Sequence, residues 1–379
     1  MFRPDQVRPD EVRQLFDLPP EVAYLTCASQ MPVPKAVYEA GVEGLLRKLR
    51  PWDVPAMPDI AQIAERCRGL FAGLIGATAE DVAIVPSTSY GVATAAQNLP
   101  LAKGQAVLLL EQQFPSDYYA WQVKAQDAGA TFKIVPKPAD GDWTTAVLAA
   151  LTSEVAIAVV PTCHWVDGAS VDLVAVGAAC RRIGAALSVD ATQWIGAASF
   201  DVAAVQPDFL QCSGYKWLLC PYTLSFLYVA PQRQEGRPLE QHAGGRFGYE
   251  GYFDRYAPGS RRFDMGERFA HAHLPMAEAG LGFVSGWGPA AVTAALRPLI
   301  DRTAALAAER GWRVPPAAHR VGHYIGIGRA GGFPNDIEAR LRTRDIHVSL
   351  RDGGVRVAPY LFSTANEIDR LFAALDELA

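Results

Sequence analysis

SVDATQWIGAASFDVAAVQPDFLQCSGYKWLLCPYTLSFLYV, residues 188–229, ends one apolar run on an acid, Asp190, and sets a lysine, Lys216, inside another. Lys216 is flanked by Tyr215, Trp217, Leu218 and Leu219, with Phe226, Leu227 and Tyr228 close behind. An unpaired ammonium in apolar surroundings costs more than its packing returns, so the charge must be led out to water or removed. Snorkelling along the four-carbon stem does the first, and forming an imine with a carbonyl compound does the second. Asp190 closes the run GAALSVD and so stands at the carboxyl end of a predicted buried strand. In open parallel sheets ligands bind at that edge, although an acid there also serves as a helix N-cap or in a structural ion pair.

A lysine and an aspartate on neighbouring strand ends suit one flat cofactor, pyridoxal 5'-phosphate. The lysine forms its Schiff base, and the carboxylate pairs with the protonated ring nitrogen and keeps the ring electron-poor. Around them run Gln193, Asp201-Val202, Asp208-Phe209 and the tetrad Ser213-Gly214-Tyr215-Lys216. In order and spacing these elements resemble the class V aminotransferase family of fold-type I pyridoxal phosphate enzymes. Its members include aminotransferases, cysteine desulfurases, C-S lyases, isopenicillin N epimerase and kynureninase. The resemblance runs from YLTCAS near Tyr24 to the final helix. It implies an α/β fold with a mainly parallel seven-stranded sheet in a large domain and a smaller α+β C-terminal domain. It also implies a homodimer with sites near the subunit interface.

The resemblance assigns further site residues. PSTSYGVATAAQNL, 86–99, sets hydroxyls between a predicted strand and an alanine-rich helix. Free N–H groups and the helix dipole favour a phosphate there, as they would an ordinary capping cluster. By the family pattern Thr88 and Ser89 take the phosphate, and Ser213 and Tyr215 add donors. Phe114, in LLLEQQFPSDYYAW (108–121), occupies the position that stacks on the pyridine face, in a stretch resembling the FPSD of kynureninase; Asp117 is a weaker candidate. His164, in PTCHWVDG (161–168), is the candidate to contact the phenolic oxygen or the substrate. Arg356, in the VRVAPY stretch, matches the arginine that grips the substrate α-carboxylate, which a planar guanidinium does with two parallel bonds. Arg351 and Arg262 read better as solvated or salt-bridged charges.

With 379 residues, half of them hydrophobic, and a formal charge of −5, the chain has material for two domains and no surplus charge that would draw nucleic acid or an anionic membrane. Its six cysteines show no CxxC pair and, with the histidines, no zinc-like spacing, so no metal is expected and the thiols read as reduced. The N-terminus is charged and proline-punctuated, unlike a signal peptide, and no apolar run reaches membrane-spanning length; the expected location is the cytoplasm.

Strands are predicted at 82–86, 106–111, 131–136, 155–162, 186–190, 208–213 and 224–230, alternating with helical stretches. After the Gly- and aromatic-rich loop 244–267 come helices at 274–287 and 289–309, strand-like HYIGIG, a short helix at 335–342, strand-like IHVSL and VRVAPY, and a last helix from Ala365. The division expected is an arm at 1–20, a pyridoxal phosphate domain at 21–265 and a small domain at 266–379.

The chemistry expected is that of an enzyme acting on an α-amino acid, with transamination to a 2-oxo acid first. A β-eliminating C-S lyase or a kynureninase-like hydrolase comes second. No cysteine follows Cys220, against the late catalytic cysteine of the desulfurases. The loop after the lysine reads CPYTLS where the family carries glycines, and Gly266 precedes Glu267 where many members have a phosphate-contacting threonine. From other classes, a non-catalytic scaffold on the same fold remains. So does an NAD-dependent oxidoreductase, which rests only on GIGRAG, residues 326–331; that stretch matches GxGxxG but leaves no room for a dinucleotide domain, and reads as a loop.

Overall fold

The computed structural model describes residues 8–56, 59–246 and 255–378. In chain order its strands are β1 (Ala23–Tyr24), β2 (Val82–Val85), β3 (Ala106–Leu110), β4 (Thr131–Val135), β5 (Val155–Pro161) and β6 (Ala186–Asp190). They continue with β7 (Phe209–Ser213), β8 (Ser225–Val229), β9 (Ile325–Ile327), β10 (Ile346–His347), β11 (Ser349–Arg351) and β12 (Gly354–Val357).

The seven strands expected in the large domain form one sheet, ordered β2-β8-β7-β6-β5-β3-β4. The pairings from β4 through β7 are parallel, and β8 runs antiparallel to both β7 and β2. Strands β2, β3, β7 and β8 are buried throughout because helices cover both faces, as their unbroken apolar runs require. Alternation still sorts their side chains. Val82, Ile84, Leu108 and Leu110 pack with Phe71, Trp143 and Val176 on one face, while Ala83, Val85, Val107 and Leu109 pack with Val92 and Trp121 on the other. Edge strand β4 is only partly covered.

The chain runs outward from β3 to β4 and returns to place β5 on the other side of β3. Strand order therefore reverses beside β3, and ligands of such sheets bind in the crevice beyond the carboxyl ends there. Beyond those ends lie Phe114 after β3, His164 after β5, Asp190 closing β6 and Lys216 after β7.

A second, antiparallel sheet, β11-β12-β9, packs against helices Pro289–Glu309 and Ala365–Leu378. GIGRAG begins in β9 and continues into a loop in which Gly331 takes a positive φ of 79°. β9 pairs only antiparallel with β12, so no strand–loop–helix of a parallel dinucleotide fold is present there. IHVSL, expected as one strand, divides at Val348: Ile346–His347 pairs with β1 and Ser349–Arg351 with β12. The same pairing joins Ala23–Tyr24 to a strand far along the chain. Cys27, Ala28 and Met31 pack in one apolar cluster with Trp217, Trp287 and Tyr360.

Among the described residues no single helix is long and apolar enough to cross a membrane. A bent pair, His273–Trp287 with Pro289–Glu309, passes by length and composition, but both helices bury their apolar sides in the protein.

Candidate active site

The strand ends converge on a pocket lined by Lys216, Asp190, Thr88, Thr192, Ser213, Gln193, Gln113, Phe114, His164, Trp165 and Tyr215, with Pro161 and Cys163. Lys216 is held by a tight loop. Gly214 N–H donates to Leu224 O at 3.1 Å, and the N–H groups of Leu219 and Cys220 donate to Lys216 O and Gly214 O, both at 3.0 Å. The loop needs glycine at 214, since a Cβ there would lie 2.4 Å from Leu224 O. Where the family's glycines are missing, Leu219 and Thr223 take left-handed backbone conformations, with φ of 58° and 60°.

Lys216 is 7 % exposed, and its Nζ lies 5.8 Å from the centroid of the Phe114 ring and 5.5 Å from that of Tyr215. Burial, reinforced by the Arg356 charge, lowers its pKa to about 8. Asp190 accepts from the Thr192 N–H at 2.8 Å and is pushed up by burial, with Lys216 pulling the other way. Close to it is Asp117, 1 % exposed, whose Oδ2 accepts from Gln113 Nε2 at 3.0 Å. Burial and then the Asp190 charge push Asp117 well above the carboxylate range.

Three hydroxyls cluster at the start of helix Thr88–Asn98. Thr88 Oγ1 lies 2.6 Å from Ser213 Oγ and 3.1 Å from Thr192 Oγ1, which accepts from the Ser213 N–H. Ser87 caps the helix by accepting from Tyr90 N–H, and the first N–H groups of such a helix have no acceptor of their own within it. Ser89 is exposed, its Oγ 2.8 Å from Ser116 Oγ. Tyr215 stacks on Tyr222 with centroids 4.1 Å apart, and burial holds its phenol up at about 12, so the hydroxyl remains a donor.

Arg356 is buried. Its Nη1 donates to Trp165 O and its Nη2 to Ser29 Oγ, both at 2.6 Å, and its Nε has no partner. Asp117 Oδ1 and Gln113 Oε1 are likewise buried without partners. Such orphans are costly unless a polar ligand meets them. A lysine of lowered pKa, paired acids, a hydroxyl-lined helix start and an unpaired guanidinium are the donor set that pyridoxal phosphate and an amino acid need. The residues fit the group.

Two candidates are placed differently from expectation. His164 lines the cavity, but its ring stacks on Trp143 at 5.2 Å, its Nε2 lies 3.1 Å from Glu111 O and its Nδ1 lies 3.5 Å from Asp167 Oδ1, so these contacts hold the ring in the wall. Gln193 spends its amide on structure, donating to Ala28 O at 2.9 Å and accepting from the Trp217 indole at 3.0 Å. It braces the residue next to the lysine. Thr192 and Ser29 were missed. Thr192 had a signal in standing two residues after Asp190, whereas Ser29 is brought in by a contact some 330 residues distant in sequence and had none.

Residues 54–371 match the family model described as Aminotransferase class-V. The chain belongs to the class-V aminotransferase family. Among curated proteins it is 28% identical to the uncharacterized aminotransferase YcbU of Bacillus subtilis (strain 168), covering 98% of this chain and 97% of that protein. It is 26% identical to the isopenicillin N epimerase of Streptomyces clavuligerus, covering 97% and 98%. A kynureninase of Deinococcus radiodurans is 29% identical over 67% of this chain and 63% of its own length. Of solved structures, a cysteine desulfurase from Thermococcus onnurineus NA1 superposes with a TM-score of 0.86 at 20% identity, covering 100% of this chain and 98% of that one. At that identity the structural likeness shows a shared class-V fold and nothing finer.

Proposed function

We propose that this protein is a pyridoxal phosphate-dependent aminotransferase that moves the amino group of an α-amino acid to a 2-oxo acid. The observation that carries the reading is Lys216, buried, lowered to about 8 and facing Asp190 across one cavity. Bound pyridoxal phosphate supplies an electron sink for a bond broken at the substrate Cα.

The chain's own residues do the rest. Near neutral pH part of the Lys216 population is an uncharged amine, able first to hold the cofactor and then, once displaced, to move the Cα proton. Asp190 would hold the proton of the cofactor's ring nitrogen. Thr88, Thr192, Ser213 and the start of helix Thr88–Asn98 hold the phosphate, and Phe114 covers the ring face. Arg356 orients the α-carboxylate.

Transamination is supported by the aminotransferase relative that aligns along nearly the whole chain. The absence of cysteine after Cys220 leaves no late thiol for persulfide chemistry. The six cysteines are all buried thiols, which suits the reducing cytoplasm. Tyr38, Val42, Leu45 and Leu49 make an exposed apolar stripe along helix Lys35–Leu49, continued by Trp52. A second copy of the chain covers this stripe in a homodimer.

The test is an absorption spectrum followed by turnover. The purified protein given pyridoxal phosphate gains a near-ultraviolet or visible band that Lys216→Ala abolishes, and it consumes an amino acid only when a 2-oxo acid is present. Release of ammonia and pyruvate without an acceptor makes it a C-S lyase instead, and release of an aromatic amine from a kynurenine-like substrate makes it a hydrolase. A protein that takes up no cofactor overturns the whole reading.

A further inference from the structure

Beside Arg356 stands a second guanidinium. Arg351 Nη2 donates to Ser29 Oγ at 3.1 Å, and Arg356 Nη2 donates to the same oxygen at 2.6 Å. One neutral hydroxyl thus accepts from two cations. Among the described residues no carboxylate pairs with either guanidinium, although most of the arginines that make ion pairs here do so at 2.5–3.3 Å. Arg351 is fixed by construction. It ends β11, its Nη1 donates to Leu350 O at 2.6 Å, and the Asp352-Gly353 turn that follows, with positive φ at both residues, closes β11 onto β12, which carries Arg356.

The two cations face different spaces. Arg356 reaches the cavity wall through the carbonyl of Trp165, whereas Arg351 lies 5.9 Å over the outer ring of Trp165 and lines a groove. Lys137, Arg313 and Arg329 line the same groove, and among the described residues a carboxylate, Asp167, pairs with Lys137 but none with the two arginines. Asp140 and Asp352 also line it, and neither pairs with Arg351. The charge of Arg351 is felt at Lys216 and Arg356, where it helps lower both pKa values. Like charges held this close without a counter-ion are costly unless a ligand supplies the anion.

We propose that Arg351 is a specificity residue that binds a second anionic group, the terminal carboxylate of an acidic amino acid whose α-carboxylate Arg356 holds. The inference rests on the aminotransferase reading for the place of the α-carboxylate. It makes the preferred substrate a dicarboxylic amino acid whose side chain leaves the cavity past Trp165 toward the groove.

Unreactive acids test it without turnover. Calorimetric titration of the cofactor-loaded protein with glutarate and with butyrate is expected to show glutarate binding at least tenfold tighter. Arg351→Gln should lower glutarate affinity toward that of butyrate, weaken butyrate far less, keep the absorption band in place, and raise KM for acidic amino acids far more than it lowers kcat. Arg351→Lys should restore part of the preference. Equal binding of the two acids by a protein that carries the cofactor band overturns this inference alone. So does an Arg351→Gln variant that weakens both acids alike, which would put both guanidiniums on one carboxylate. A protein with no band overturns the underlying reading as well.

Discussion

Lys216 is buried, and among the described residues no carboxylate lies within ion-pair distance of it, so its surroundings act on its proton. Its pKa in the fold is about 8 against an ordinary 10.5. As pH falls from 10.5 to about 8, the unfolded chain takes up a proton that the folded chain refuses, so stability drops across that window. Below it the loss is constant, about 3 kcal/mol by linkage. The cofactor-free Lys216→Met variant is therefore expected to unfold at higher urea than the cofactor-free parent at pH 7, with the difference shrinking above pH 9. The rate of pyridoxal phosphate uptake, followed by absorbance, should rise with pH through a midpoint near 8, since only the neutral amine attacks. A pH-independent rate would mean that the lysine is not the attacking group.

At the scale of elements, the loop between β7 and β8 aims the lysine by crowding. Gly214 leaves no room for a side chain beside Leu224 O, so Gly214→Ala is expected to destabilise the protein by about 2–4 kcal/mol and to weaken cofactor binding. Thr223 is the opposite case, an exposed β-branched residue in left-handed backbone, with its hydroxyl turned to its neighbour Tyr222 O. Thr223→Gly should relieve about 1 kcal/mol of strain, seen as a higher urea midpoint. The loop was legible as a lysine loop from SGYK alone. Its backbone was not, because CPYTLS contains no glycine to announce a positive φ.

At the scale of the whole molecule, buried ion pairs and a shared apolar layer tie distant segments into one scaffold. Arg68 on helix Ile60–Ile75 pairs with Asp264, which accepts from the Ile84 N–H of β2, and both charges are about 1 % exposed. Arg13 pairs with Glu367 and binds the first helix to the last. The stripe Tyr38, Val42, Leu45 and Leu49 finds no cover among the described residues. Leu45→Glu together with Leu49→Glu is expected to shift sedimentation from dimer to monomer while leaving the far-ultraviolet circular dichroism unchanged. A parent protein that already sediments as a monomer would remove the stripe from the dimer interface.

The sequence by itself determined the seven strands of the sheet, the acid that ends one of them and the lysine just beyond another. Each of these is written in local terms: unbroken apolar runs, residues that end them, and a tetrad of fixed spacing. Only the tertiary structure decided which side chains share the site. Arg351, set down as a solvated charge, meets Arg356 on the hydroxyl of Ser29, and His164 turns to Trp143 and Glu111. Asp117, a minor candidate, is buried and feels the Asp190 charge. Side-chain direction in a loop follows from contacts across hundreds of residues, which neither periodicity nor spacing along the chain records.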